Sequence, residues 1–183
     1  MQNRYFKDKS VIHAFTAGVL VLSGCTTTAQ APATSNLSET DLAALTAAYQ
    51  LVLFDLQECK LLPDDHVSTP QVKTISAKIC ADAAYFKPLL EQLATKYNVK
   101  LPDALSYELK AQYGSLFYRP WPNFDVNYLQ DQISSHEQAL AIFGQEIEDT
   151  KDPQVKAFAE QNVPVVRANL QLLRQALKEI DTK

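Results

Sequence analysis

Glycine is scarce in this chain, with four in 183 residues, while alanine and leucine are plentiful. That balance favours helix over sheet. No stretch sustains the apolar–polar alternation of a half-buried strand. Basic residues do not cluster. The first 24 residues carry Arg4, Lys7 and Lys9 against Asp8, so the net charge of −4 becomes −6 beyond them. Gripping phosphates takes clustered Lys and Arg, so nucleic-acid binding is not expected. Also missing are a Gly-x-Ser-x-Gly elbow, a glycine-rich phosphate loop and a cysteine near a histidine. Ser134 and Ser135 precede His136 directly, but adjacent helix positions point apart. A di-metal carboxylate centre in a helical bundle needs Glu-x-x-His motifs, and Ile133 stands three before His136. No enzymatic constellation, metal centre or cofactor is expected.

What is present begins with a leader. Met1–Lys9 is polar and basic, Val11–Leu22 is a short apolar run, and Ser23-Gly24-Cys25 follows. This is the pattern of a secretory signal peptide, too short to span a bilayer as a mature helix. Leu22-Ser23-Gly24-Cys25 resembles the bacterial lipobox, which implies a signal peptide over 1–24 and lipidation of Cys25. Acyl chains at roughly 0.8 kcal/mol per buried methylene anchor such a protein to a membrane. Thr26 and Thr27 follow the cysteine, with no acidic residue. By likeness to Gram-negative lipoproteins, that implies sorting to the outer membrane, facing the periplasm. Residues 25–37 are polar and low in complexity and read as a tether. His13 falls within the leader.

The domain, 38–183, carries four long amphipathic patterns. Ser38 caps the first, whose stripe is Leu42, Leu45, Tyr49, Val52 and Leu56, ending near Leu62-Pro63. Thr69-Pro70 opens the second, which runs to about Tyr97 through Val72, Ile75, Ile79, Ala83, Phe86, Leu90 and Leu93. A shorter helix is expected from Leu101-Pro102-Asp103 to about Phe117. The third long helix runs from about Phe124 to Glu148, with the stripe Leu129, Ile133, His136, Leu140, Phe143 and Ile147. Asp152-Pro153 starts the fourth, to about Ile180. Pro88 and Pro164 lie inside the second and fourth and are expected to kink them. The expectation is an all-α, antiparallel four-helix bundle with a short connecting helix between the second and third long helices. Around the Pro120 and Pro122 connector, Tyr118, Trp121 and Phe124 form an aromatic group, expected to pack over the bundle end.

Cys59 and Cys80 remain once Cys25 is lipidated. In an oxidising compartment two such cysteines suggest a disulfide. It would close a segment of about 20 residues and contribute about 3 kcal/mol by chain entropy. Cys59 lies near the end of the first helix and Cys80 about ten residues into the second, a depth mismatch of roughly 10 Å. A bridge needs Cα atoms within about 7 Å. It therefore requires a longer first helix or a folded-back loop, and the alternative is two buried thiols. In the loop between those helices, Asp64, Asp65 and His66 read as solvated.

The pieces Val99-Lys100-Leu101-Pro102, Phe124-Asp125 with Tyr128-Leu129, His136 with Ala139 and Phe143, and Asp152-Pro153 with Val155-Lys156-Ala157-Phe158-Ala159 resemble the domain of unknown function 4142 family, a group of predicted outer membrane proteins thought to be ferritin-like bundles. The resemblance covers roughly Leu42 to Leu177. Two histidines usual in the family are replaced here, by Ala83 after Asp82 and by Asn169 beyond Val163-Pro164. Of the three, His136 is kept.

A buried imidazole needs hydrogen-bond partners. Asp82 of the second helix or Asn169 of the fourth are the expected ones, forming a polar pin that fixes helix register. The functional expectation is a lipid-anchored, non-enzymatic envelope module with a structural or protein-interaction role. Its alternative is a metal- or small-ligand-binding module centred on His136.

Overall fold

A computed structural model describes residues 37–62, 68–118 and 124–181. The leader, Cys25, the rest of the tether up to Asn36, Asp64, Asp65, His66 and Trp121 lie outside the described residues. Within them the structure is all helical: α1 (Glu39–Glu58), α2 (Pro70–Lys96), α3 (Tyr107–Phe117), α4 (Phe124–Asp149) and α5 (Pro153–Asp181).

Local chemistry sets the helix ends. The Ser38 side chain accepts from the Asp41 amide at 3.0 Å, and Thr69 accepts from that of Val72, with Pro70 just inside the helix. Asp152 Oδ1 accepts from the amides of Gln154 and Val155 at 2.8 and 3.1 Å and starts α5. Asn98, at φ 54°, turns the chain after α2. Val99 and Asn98 return amide bonds to Ala94 and Thr95, closing the carbonyl end of the helix. α2 and α5 continue through Pro88 and Pro164.

Two boundaries differ from the sequence expectation. α1 ends at Glu58 and tightens into a 3₁₀ turn, Cys59–Leu61, before buried Leu62. The short helix starts at Tyr107, not near Leu101. Its cap is Ser106, and the backbone before it is claimed by Gln50 of α1, which donates to the Ala104 carbonyl and accepts from the Ser106 amide.

α1 packs against α2 and α4, and α5 packs against the same two helices. The apolar interior has two clusters. One gathers Leu45, Tyr49, Phe86, Leu90, Phe143 and Val166, and the other Val72, Ile79, Leu116, Leu129 and Leu173. α1 and α5 run from the first cluster to the second; α2 and α4 run back. Asp125, buried at the start of α4, accepts from the Ser68 hydroxyl and from the Thr69 amide at 2.9 Å, so α4 holds the entrance of α2. Phe124 is buried and stacks on Tyr128, and Tyr118 is exposed.

Cys59 and Cys80 are joined by a disulfide with Cα atoms 5.9 Å apart. The depth mismatch vanishes because the chain does not turn back at Cys59. It continues beside α2 as the 3₁₀ turn, placing Leu61 and Leu62 against the cluster that contains Val72 and Ile75.

Candidate functional site: a polar belt between two apolar clusters

Along each long helix, polar side chains gather around the changeover from one apolar cluster to the other. α1 contributes Asp55 and Glu58, α2 Ser76 and Asp82, α4 Gln132, Ser135 and His136, and α5 Asn169. Glu58, Ser76, Gln132, Ser135, His136 and Asn169 are buried, with Glu58 and Gln132 wholly inaccessible. Burying polar groups is costly unless they find partners.

The helix period explains the placement. Asp55 and Glu58 are three apart and share a face of α1. Tyr128, Gln132, Ser135 and His136 form a matching stripe on α4, spaced for one helix face. Gln132 Nε2 donates to Glu58 Oε2 at 2.8 Å and to Asp55 Oδ1 at 3.3 Å, while Ser135 Oγ donates to the same Asp55 oxygen at 3.0 Å. His136 Nδ1 pairs with the Gln132 carbonyl one turn earlier, at 2.9 Å. The carbonyl can only accept, so Nδ1 carries the proton in this bond.

The trio expected around His136 is thus divided. Asn169 Nδ2 donates to Asp82 Oδ2 at 2.8 Å, and Lys78 Nζ bridges the two residues with a bond of 2.7 Å to each. Asp82 is engaged by Lys78 and Asn169, and the imidazole bonds its own helix instead, with Asp55 lining the same cavity. All three expected residues do line one cavity of about 30 Å³, together with Asp55 and Ser135. That volume has room for about two waters.

Electrostatics separate the carboxyls. Burial pushes the Asp55 carboxyl up, against the opposing pull of His136 and of the donors Ser135 and Gln132. Glu58 is pushed up to about 9, mainly by burial, with Asp131 and Asp55 adding repulsion and the Gln132 bond opposing. Glu58 is therefore a neutral acid at pH 7. Three oxygens of the belt are buried without a hydrogen-bond partner: Glu58 Oε1, Gln132 Oε1 and the Tyr128 hydroxyl. A proton on Glu58 gives this carboxyl-rich belt one more donor. Burial also raises Tyr128, beside Ser76.

The chemistry open to this arrangement is narrow. Ser135 donates to Asp55, so its hydroxyl is not the partner of the imidazole. Among the described residues, no group of three or more His, Cys, Asp or Glu is disposed to hold a metal ion. Sequence reasoning missed Asp55, Glu58 and Gln132. Their signal was positional: Asp55 stands three after Val52 on the α1 stripe, and Gln132 four after Tyr128 on α4.

Helices only, two stacked apolar clusters and a buried polar belt define a small all-α bundle protein. This chain belongs to the family described as a domain of unknown function, DUF4142, whose model matches residues 26–176. No curated protein matches it. A solved structure of a DUF305 fragment from Deinococcus radiodurans is similar in fold, with a TM-score of 0.69 and 14% identity, covering 78% of this chain and 98% of that one. CopM, solved in its Cu(I)-bound form, is similar with a TM-score of 0.59 and 15% identity over the same shares. At such identity the likeness concerns the fold alone.

Proposed function

We propose that this protein is a lipid-anchored helical module of the bacterial envelope, acylated at Cys25, seated on the outer membrane and facing the periplasm, with a structural or interaction role and no catalysis. The observation that carries the reading is the Cys59–Cys80 bridge. Such bonds persist in oxidising compartments, and the sequence before Cys25 is that of a lipoprotein leader. The non-enzymatic part is supported by a central cavity of about 30 Å³, lined mostly by apolar side chains and too small for a substrate. Its architecture reads as an antiparallel four-helix bundle of ferritin-like order, with α3 in the long crossover between parallel α2 and α4. No described helix is long and apolar enough to cross a membrane.

The fold-level likeness to CopM raises Cu(I) binding as a second reading. The donors do not fit. Soft thiolate and thioether ligands select Cu(I). The single methionine is Met1, Cys59 and Cys80 are bonded to each other, and His136 is the only histidine among the described residues. The anchor is tested with Cys25→Ala and membrane fractionation: the variant is expected in the soluble fraction, and continued sedimentation with membranes sinks the proposal. Metal analysis tests the second reading. Stoichiometric metal that disappears in His136→Ala would replace the structural role with a binding one.

A further inference from the structure

The end of the bundle where α1 begins carries a second pair of buried carboxyls, remote from the polar belt. Asp41 is 5% exposed in the first turn of α1, and Glu146 is 3% exposed near the end of α4. The two side chains lie within hydrogen-bonding reach of each other. Glu146 Oε2 is buried and receives no hydrogen bond from any donor. Two ionised carboxylates in this contact repel, and neither could donate. One proton between them removes the repulsion and creates the missing donor.

We propose that Asp41 and Glu146 share a single proton and form a pH-sensitive latch that fastens the first turn of α1 to the last turns of α4.

The helix ends assign the proton. Asp41 lies at a helix N-terminus, where a negative charge is favoured, and its side chain bonds the Ser38 backbone, the Ser38 hydroxyl and the Thr150 hydroxyl. Glu146 lies near a helix C-terminus, where a negative charge is disfavoured. Asp41 is thus the carboxylate and Glu146 the acid. The surrounding groups agree. On α4, Asp149 adds negative charge beside Glu146. The residues of α2 and α5 that line a cavity together with Glu146 include Leu90, Leu93, Val155 and Phe158, none of them charged. Tyr97 at the end of α2 lies near Asp41, with its hydroxyl committed to Asp152 at 2.7 Å and Lys96 beside that carboxylate. Lys151 lines the same cleft as Asp41 and Asp149. Burial, then Asp41, raises Glu146 to about 7, while Asp41 is lowered by its hydrogen bonds against the effect of burial.

The sign follows. A raised carboxyl stabilises the closed end fully below about 4.5, and that support is lost as pH climbs through about 7. From pH 6 to pH 8 the equilibrium for opening this end rises about tenfold. The device sits four residues from the first described residue, Leu37, on the side to which the tether connects.

The test is carboxyl-carbon NMR of the full chain from pH 4 to 9, with amide exchange over Thr40–Leu45 corrected for intrinsic rates. Glu146 is expected to titrate near pH 7, with exchange rising about tenfold between pH 6 and 8. Glu146→Gln keeps a donor and removes the titration, so its exchange is expected to stay flat. A Glu146 midpoint below 5, or exchange equally pH-dependent in Glu146→Gln, overturns the latch. So does a midpoint moved down by millimolar Ca²⁺, which would make the pair a cation site. The wild-type titration decides the matter even if the variant fails to fold.

Discussion

Replacing Glu58 with glutamine should make this protein more stable, although it alters a wholly buried, hydrogen-bonded residue. Glu58 is raised from 4.5 to about 9 because burial disfavours its charge. At pH 7 the unfolded chain carries Glu58 ionised, while the folded protein must hold it protonated. The cost of that proton uptake is about 1.4 kcal/mol for each pH unit above 4.5, hence at most about 3.5 kcal/mol at pH 7. It reaches about 6 kcal/mol near pH 9, where the folded side chain itself begins to ionise. In Glu58→Gln the new side chain preserves the shape and offers Gln132 an amide, with no proton to bind. Part of the gain is returned because the amide must also leave water, leaving about 1–3 kcal/mol at pH 7. The assay is urea unfolding followed by circular dichroism at pH 5 to 9 with the disulfide intact. The difference between the two proteins should widen by about 1.4 kcal/mol per pH unit between 6 and 9. Equal stability of the two at pH 8, or parallel pH profiles, refutes the assignment of a neutral Glu58.

Other expectations follow from the packing. Cys59→Ala with Cys80→Ala opens a 21-residue separation and should cost about 3 kcal/mol, measured by unfolding with and without reductant. Leu173→Ala, at a fully buried position in the cluster around Leu129, should cost about 2–5 kcal/mol in the same assay. Asp125→Ala leaves the Thr69 amide and the Ser68 hydroxyl without their acceptor. It should cost about 1–3 kcal/mol, with faster amide exchange confined to the first turn of α2.

The sequence by itself determined where helices form. Ser38, Thr69-Pro70 and Asp152-Pro153 announce their helices by local capping chemistry, which needs no tertiary partner. The α2 stripe from Val72 to Tyr97 is buried nearly as the period demands, because a two-sided helix at this length must hide its apolar face. The end of α1 and the start of α3 were decided elsewhere: by the disulfide with Cys80 and by Gln50 bonding the backbone of Ala104 and Ser106. Both are contacts between residues far apart in the chain, and no local pattern encodes them. The same holds for His136. Its burial was legible from the stripe, but its partners were not. Asp82 went to Lys78 and Asn169, and only the approach of α1 to α4 put Asp55, Glu58 and Gln132 into one belt. Sequence spacing says which side chains share a face; the packing of two faces decides which charges lose their water, and so which of them keep a proton.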